Sequence, residues 1–237
     1  MTYGALLAVG AIALAAITTP TFGNGVPTLV DTCGVESSSA GETILVTADI
    51  IDTYDENSPI LNCISITHDD VTLDCQGYRL TQVGVGRARA VWAEGDRVTV
   101  QNCEVRDWLN GVVYWETGDG VILNNKLVAN RWGIGLILSD GAWVEGNKVD
   151  ATENGGVQIF QSSSSWIYDN TVHGSGFAGI LLNDPWSGGG SDGNFVIDNQ
   201  VNLNGLHGIL LADDSGSNTV FGNTANLNEG IGIAVRG

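Results

Sequence analysis

Beyond residue 99 the chain alternates short runs of β-branched and aliphatic residues with Gly, Asn and Asp, and the alternation is periodic. Six units superimpose: V-Q-N-C-E-V from Val100, I-L-N-N-K-L from Ile122, V-E-G-N-K-V from Val144, I-Y-D-N-T-V from Ile167, V-I-D-N-Q-V from Val196 and V-F-G-N-T-A from Val220. Successive starts lie 22, 22, 23, 29 and 24 residues apart. Each unit carries a second apolar stretch opening on glycine: Gly111-Val112-Val113-Tyr114, Gly133-Ile134-Gly135-Leu136, Gly156-Val157-Gln158-Ile159, Gly179-Ile180-Leu181-Leu182 and Gly208-Ile209-Leu210-Leu211. A last one opens at Gly230-Ile231-Gly232-Ile233. Such runs predict strands and turns. A helix is disfavoured, because no apolar stripe at i, i+3, i+4 and i+7 persists for about ten residues.

Strands at a fixed period form either an antiparallel sandwich or a coil in which each strand stacks on its counterpart one winding later. Columns of identical residues favour the coil, where equivalent positions sit about 4.8 Å apart. Asn125, Asn147, Asn170, Asn199 and Asn223 make one column, with Cys103 in the same place one winding earlier. Side-chain amides stacked in this way can hydrogen-bond along the axis and hold a tight turn. Trp143, Trp166 and Phe195 make a second column, expected to pack at a corner, where each aromatic pair adds about 1 kcal/mol beyond area burial. Outward positions alternate with inward ones along a strand, so Trp115, Ile137 and Phe160 form an apolar strip on three successive windings. If open, the strip is a platform for a polysaccharide or a cell-surface component.

Composition narrows the setting. Hydrophobic residues at 43% speak against disorder. With 27 acidic and 9 basic residues the net charge is −18, and nucleic-acid binding, which needs a basic surface, is excluded as an expectation. The apolar run Ala5–Ile17 is too short to span a bilayer and has the length of a secretory h-region. Residues 1–23 therefore read as a signal peptide, without the usual positive start, and the mature chain as exported with no transmembrane span. Cys33, Cys63, Cys75 and Cys103 match no zinc spacing, and an exported chain favours disulfides among them in one of three pairings.

The V-x-x-N-x-V … G-I-x-L repeat resembles the right-handed parallel β-helix repeat. That repeat is found in polysaccharide lyases, rhamnogalacturonases, mannuronan epimerases and the periplasmic NosD-like family, also described as carbohydrate-binding and sugar-hydrolysis domains. The N-terminal part is similar to the opening segment of microbial surface β-helices through Cys33-Gly34, Gly41–Ile50, Cys63-Ile64-Ser65-Ile66 and Val71–Gly77. The resemblance covers residues from about 33 to the end and implies an all-β, single-stranded right-handed parallel β-helix with an N-terminal cap. Residues 24–70 are expected to be that cap and 71–237 the repeats. The final winding stops in mid-turn, and its open edge is expected to self-associate.

Candidate chemistry is sparse. The unit from Ile167 is lengthened by Asn183–Asn194, and insertions in solenoids become loops that often carry function. Trp186 in that loop is a candidate sugar contact. Asp184 and Asp213 share a column, which places two carboxylates about 5 Å apart, the separation used by retaining glycosidases; Asp214 adds a third acid. Turn-favouring aspartates account for the same residues. The cations show no cluster for a lyase. An epimerase of the resembling kind carries Asp-Pro-His, whereas here Asp184-Pro185 precedes Trp186. His68, His173 and His207 fall in different columns and Met1 is the only methionine, so copper is not expected. Calcium through Asp192 and Asn194 is a weaker candidate, and no cofactor is required. The resulting expectation is an exported, non-catalytic β-helix that binds carbohydrate or spaces an envelope, with a polysaccharide-cleaving enzyme or a NosD-like accessory protein as alternatives.

Overall fold

The structure is a computed structural model describing residues 25–53, 61–84, 89–183, 190–212 and 215–236. The segment read as a signal peptide lies outside these residues. Every regular element described is a strand, and all strand pairs are parallel. The strands stack into three sheets of nine, seven and nine strands. One winding runs through Thr99–Gln101 in the first sheet, Glu104–Arg106 in the second and Asn110–Trp115 in the third, then re-enters the first sheet at Val121–Leu123.

Stacking follows the repeat. In the first sheet Val100 pairs with Ile122, Ile122 with Val144, Val144 with Ile167, Ile167 with Val196 and Val196 with Val220. The inward columns of all three sheets are aliphatic and fully buried, for example Ile122, Leu127 and Ile134 within one winding. Each winding buries its apolar residues only against the windings above and below, so the core is a continuous column and not a central globule.

The corner between the first and second sheets explains the asparagines. It begins with a residue in the left-handed region: Asn102, Asn124, Gly146, Asp169, Asp198 and Gly222 have φ between 51° and 70°. Asn, Asp and Gly are the residues that reach this region at least cost. The next residue is the ladder asparagine. The Asn147 amide nitrogen donates to the Ile122 carbonyl (2.8 Å) and to Asn170 Oδ1 (3.0 Å), while its oxygen accepts from the Asn125 backbone N–H at 2.9 Å. The pattern repeats through Asn170, Asn199 and Asn223. At the N-terminal end Asn125 accepts from the Cys103 N–H (2.9 Å), so the cysteine caps the ladder.

A second polar ladder, with mixed letters, lines the corner between the second and third sheets. Asn130 accepts from the Trp108 N–H (3.0 Å), Asn204 from the Ser175 N–H (2.9 Å), and the Asn204 amide donates to Asn228 (2.9 Å). The glycine opening each third-sheet strand has a steric cause. A Cβ on Gly133 would lie 2.3 Å from the Gly156 carbonyl oxygen, and one on Gly179 2.2 Å from a Val201 methyl. Consecutive windings approach too closely there for any side chain.

Three expectations change. The windings begin well before Val71: Thr28–Val30 pairs with Thr43–Val46, and Ile50–Thr53 and Asn62–Ile66 already belong to the second and third sheets. The segment taken as a cap is therefore coiled, with Ile44, Val46 and Ile64 fully buried. It escapes the repeat because its offsets are uneven, 16 residues from Thr28 to Ile44, 29 from Ile44 to Leu73 and 27 from Leu73 to Val100. The last third-sheet strand is Ile233–Val235, with Ile233 and not Ile231 on Ile209. A spacing of thirteen residues from Val220, the same as from Val196 to Ile209, sets that register. The Asp192 and Asn194 oxygens, considered for calcium, already accept backbone N–H groups of Gly216 (2.6 Å) and Ser165 (2.9 Å).

Of the three possible pairings the disulfides are Cys33–Cys63 and Cys75–Cys103, each joining consecutive windings across 30 and 28 residues. Loops of that length predict about 3–4 kcal/mol of stabilisation per bridge by chain entropy. Two outcomes are expected in chemical denaturation. Cys75→Ser/Cys103→Ser lowers the unfolding free energy by about 3 kcal/mol. Asn147→Ala, which takes the acceptor from the buried Asn125 N–H groups and the amide donor from the Ile122 carbonyl and Asn170 Oδ1, lowers it by about 2–4 kcal/mol, whereas exposed Lys148→Ala changes it by less than about 0.5 kcal/mol.

Candidate functional site

Each sheet presents one outward face, and the three differ in chemistry. On the first, Trp166 stacks between Trp143 (centroids 5.4 Å, 21° between planes) and Phe195 (4.3 Å, 14°). Both faces of Trp166 are thereby covered by neighbours in the ladder. Axial stacking consumes the surfaces that a sugar ring would use, so this column is structural.

The second sheet gathers cations, which the linear reading did not anticipate. Arg79, Glu104, Lys126 and Lys148 pair in one outward column, and Arg106, Val128, Asp150 and His173 in the next. Four of the nine basic residues thus share one face, at sequence separations of 20 residues or more for every pair on neighbouring windings. Glu104 holds them: Arg79 Nε lies 3.3 Å and Lys126 Nζ 3.5 Å from its Oε1, and Arg106 donates to the same oxygen. Burial raises the Glu104 pKa, but the Arg106 hydrogen bond and the charges of Arg106, Lys126 and Arg79 outweigh it, and the carboxyl titrates below its ordinary value. Lys148 pairs with Asp150 at 3.3 Å. The face is an internally compensated ion-pair network. Beside it a groove of about 550 Å³ is lined by Asp74, Gln76, Gly77, Asn102, Cys103, Glu104, Asn124 and Lys126. The polar groups of the groove are largely spent on one another, since Asp74 accepts from the Gln76 N–H and from the Gln101 and Asn102 amides.

The third sheet carries the strip read from the sequence. Trp115 pairs with Ile137 and Ile137 with Phe160, so the column is real, and all three side chains are half-buried. Its upper part is closed: Phe160 packs against Ala178, Leu181, Leu210, Ala212 and Ala234, and Leu181 and Leu210 retain 5% and 3% exposure. The lower part is partly open and richer than anticipated. Trp92, one winding earlier, stacks on Trp115 (5.6 Å, 27°), and Trp132, which opens the strand of the next winding, is half-exposed. The Trp115 indole N–H donates to Glu116 at 3.1 Å. Arg89 lies over the Trp92 ring, 4.0 Å from its centroid, and donates to Asn62 Oδ1 at 3.3 Å. Two-residue alternation from buried Val91 and Ala93 places Trp92 outward, whereas Arg89 and Trp132, which share a column through Asn110, have the parity of inward Val91 and Ile134, so alternation does not reveal them.

Asp184, Trp186, Asp213 and Asp214 lie outside the described residues. The pairing Leu182 to Leu211 leads the chain to Asp184 and Asp213, two residues further on in each strand's sequence. The histidines are separated: His68 meets Ser37 (3.0 Å), His173 faces Asp150 (4.0 Å) and His207 is buried near Arg236. Among the described residues no group of three or more His, Cys, Asp or Glu is placed to hold a metal, and no helix is long and apolar enough to cross a membrane.

The profile of the family described as right handed beta helix region matches residues 89–237. The chain belongs to the right-handed β-helix family. No curated protein matches its sequence. Among solved structures it is similar to the mannuronan C-5 epimerase AlgE6 A-module of Azotobacter vinelandii, with 16% identity over 88% of this chain and 64% of that one and a TM-score of 0.59. It is likewise similar to the periplasmic alginate epimerase AlgG, with 22% identity over 82% of this chain and 51% of that one and a TM-score of 0.56. The likeness is one of fold, and this β-helix spans about half to two thirds of those chains.

The Glu104 network makes a pH prediction. A carboxyl whose pKa is depressed by folding contributes stability above its unfolded value and loses it as pH falls through the folded one. Glu104→Gln is expected to lower the melting temperature at pH 7 by about 2 °C. The gap to the parent protein closes only at pH below the ordinary glutamate value of 4.5, as followed by thermal melts from pH 7 to pH 3.

Proposed function

We propose that this chain is a carbohydrate-binding β-helix of an exported protein, and that the lower third-sheet face, around Trp92, Trp115 and Trp132, holds a polysaccharide without cleaving it. The single observation carrying this reading is the stack of two half-exposed indoles, Trp92 on Trp115, on one regular sheet face. Pyranose rings present C–H faces that pack on aromatic surfaces, and rigid indoles contribute contact area at small entropic cost. Parallel strands about 4.8 Å apart repeat such contacts along an extended polymer. The two disulfides are compatible with an oxidising, extracytoplasmic compartment. Both structural neighbours are named as epimerases of a polysaccharide, alginate or mannuronan, which agrees with a glycan as the partner.

Glycan-array binding followed by titration calorimetry tests the reading. Binding is expected without release of new reducing ends, and Trp115→Ala or Trp132→Ala weakens it at least tenfold with the fold intact. Appearance of reducing ends that vanishes in Asp213→Ala would replace the binder by a hydrolase.

A further inference from the structure

We propose that Arg89 makes this face select a sugar bearing a negative charge, a carboxylate or a sulfate ester, in preference to a neutral one. The inference rests on the carbohydrate-binding reading and concerns the charge of the bound sugar. Of the eight cations among the described residues, six lie within 4.0 Å of a carboxylate: Arg79, Arg97, Arg106, Lys126, Arg131 and Lys148. Arg236 is exposed beside His207. Arg89 is different, being half-buried with no carboxylate within that distance among the described residues, in a chain carrying 27 acids.

The Arg89 side chain is nonetheless held in place. Asn62 accepts one Nη1–H at 3.3 Å and is itself anchored, its amide donating to Ser65 Oγ at 3.0 Å. The guanidinium plane lies on Trp92, and Trp92 on Trp115. Ring contact favours the cation but offers no acceptor, so among the described residues Asn62 is the one hydrogen-bond acceptor on the five guanidinium N–H donors. Burial lowers the Arg89 pKa, with the charge of exposed Glu94 opposing it, which marks a desolvated cation awaiting compensation. A guanidinium fork presents two parallel N–H donors, a geometry that matches carboxylate and sulfate oxygens. The adjoining indoles supply the apolar surface for the sugar ring, so one acidic monosaccharide unit satisfies both groups.

The test is calorimetric titration of the full chain with three oligosaccharides of equal length, one neutral, one uronic and one sulfated, at 50 and 300 mM salt. At least one acidic oligosaccharide is expected to bind tenfold or more tightly than the neutral one at low salt, with the advantage shrinking at high salt. The uronic and sulfated arms tell the two anions apart. Arg89→Gln should bring the acidic-to-neutral affinity ratio to about one, and Arg89→Lys should keep part of it. Asn62→Ala, which frees the guanidinium without removing its charge, should reduce the ratio and serves if Arg89→Gln does not fold. An unchanged ratio in Arg89→Gln, or equal affinities in the parent protein, overturns the proposal while leaving the binding face standing. Loss of the neutral arm in Trp115→Ala tests that face separately, and failure of every sugar to bind removes both.

Discussion

Axial superposition of the windings is the constraint on which the rest depends. Backbone N–H and C=O groups of the inner strands of the three sheets find their partners one winding away, so each segment is satisfied only if the next repeats its path. The asparagine ladder converts that requirement into side-chain chemistry. Asn147 reaches both the winding before and the winding after it, through Asn125 and Asn170, and closes its own turn by donating to the Glu145 carbonyl. A buried amide with all its hydrogen bonds made is inexpensive, whereas one missing partner leaves an orphan on two windings. Register errors are thereby penalised at every corner, and the outward faces inherit a regular geometry.

The N-terminal windings solve the same problem covalently. Where the ladder ends at Cys103, the bridge to Cys75 ties the neighbouring windings, and Cys33–Cys63 ties the pair before them. The offsets between these windings are uneven, at 16, 29 and 27 residues. Cross-linking restricts the unfolded chain where repetition does not specify the path. Charge follows a comparable logic. A chain at −18 places three of its few cations around Glu104 and a fourth beside Asp150 on the same face, where attraction offsets part of the general repulsion. Arg89 stands apart from that network, on the face whose chemistry is aromatic.

How far the fold could be read depends on whether neighbours in space share a letter. The column Asn125 to Asn223 was legible because one residue type recurs, and the pairings Val100 to Val220 follow the units as written. The corner with Asn130, Thr152, Ser175 and Asn204 was not, because the residue type changes from one winding to the next and only the asparagines accept backbone N–H groups there. The early windings were hidden by their uneven offsets and by the lack of the ladder asparagine. The Glu104 network was invisible for a related reason, since its members are far apart in sequence and unlike in type, and only the winding brings them within 4 Å.

The sequence by itself determined the coil, its period, the inward columns and the presence of an outward apolar column through Trp115, Ile137 and Phe160. Those features are periodic, and periodicity survives without coordinates. Tertiary structure alone decided which part of that column stays open, that Trp166 is sandwiched while Trp132 is not, which cysteines pair, and that Arg89 lacks a carboxylate among the described residues. Each of these is a question of what lies across from a side chain on an adjacent winding. Distances of a few ångströms between residues more than twenty positions apart answer it, and those distances depend on the local length of every turn between them.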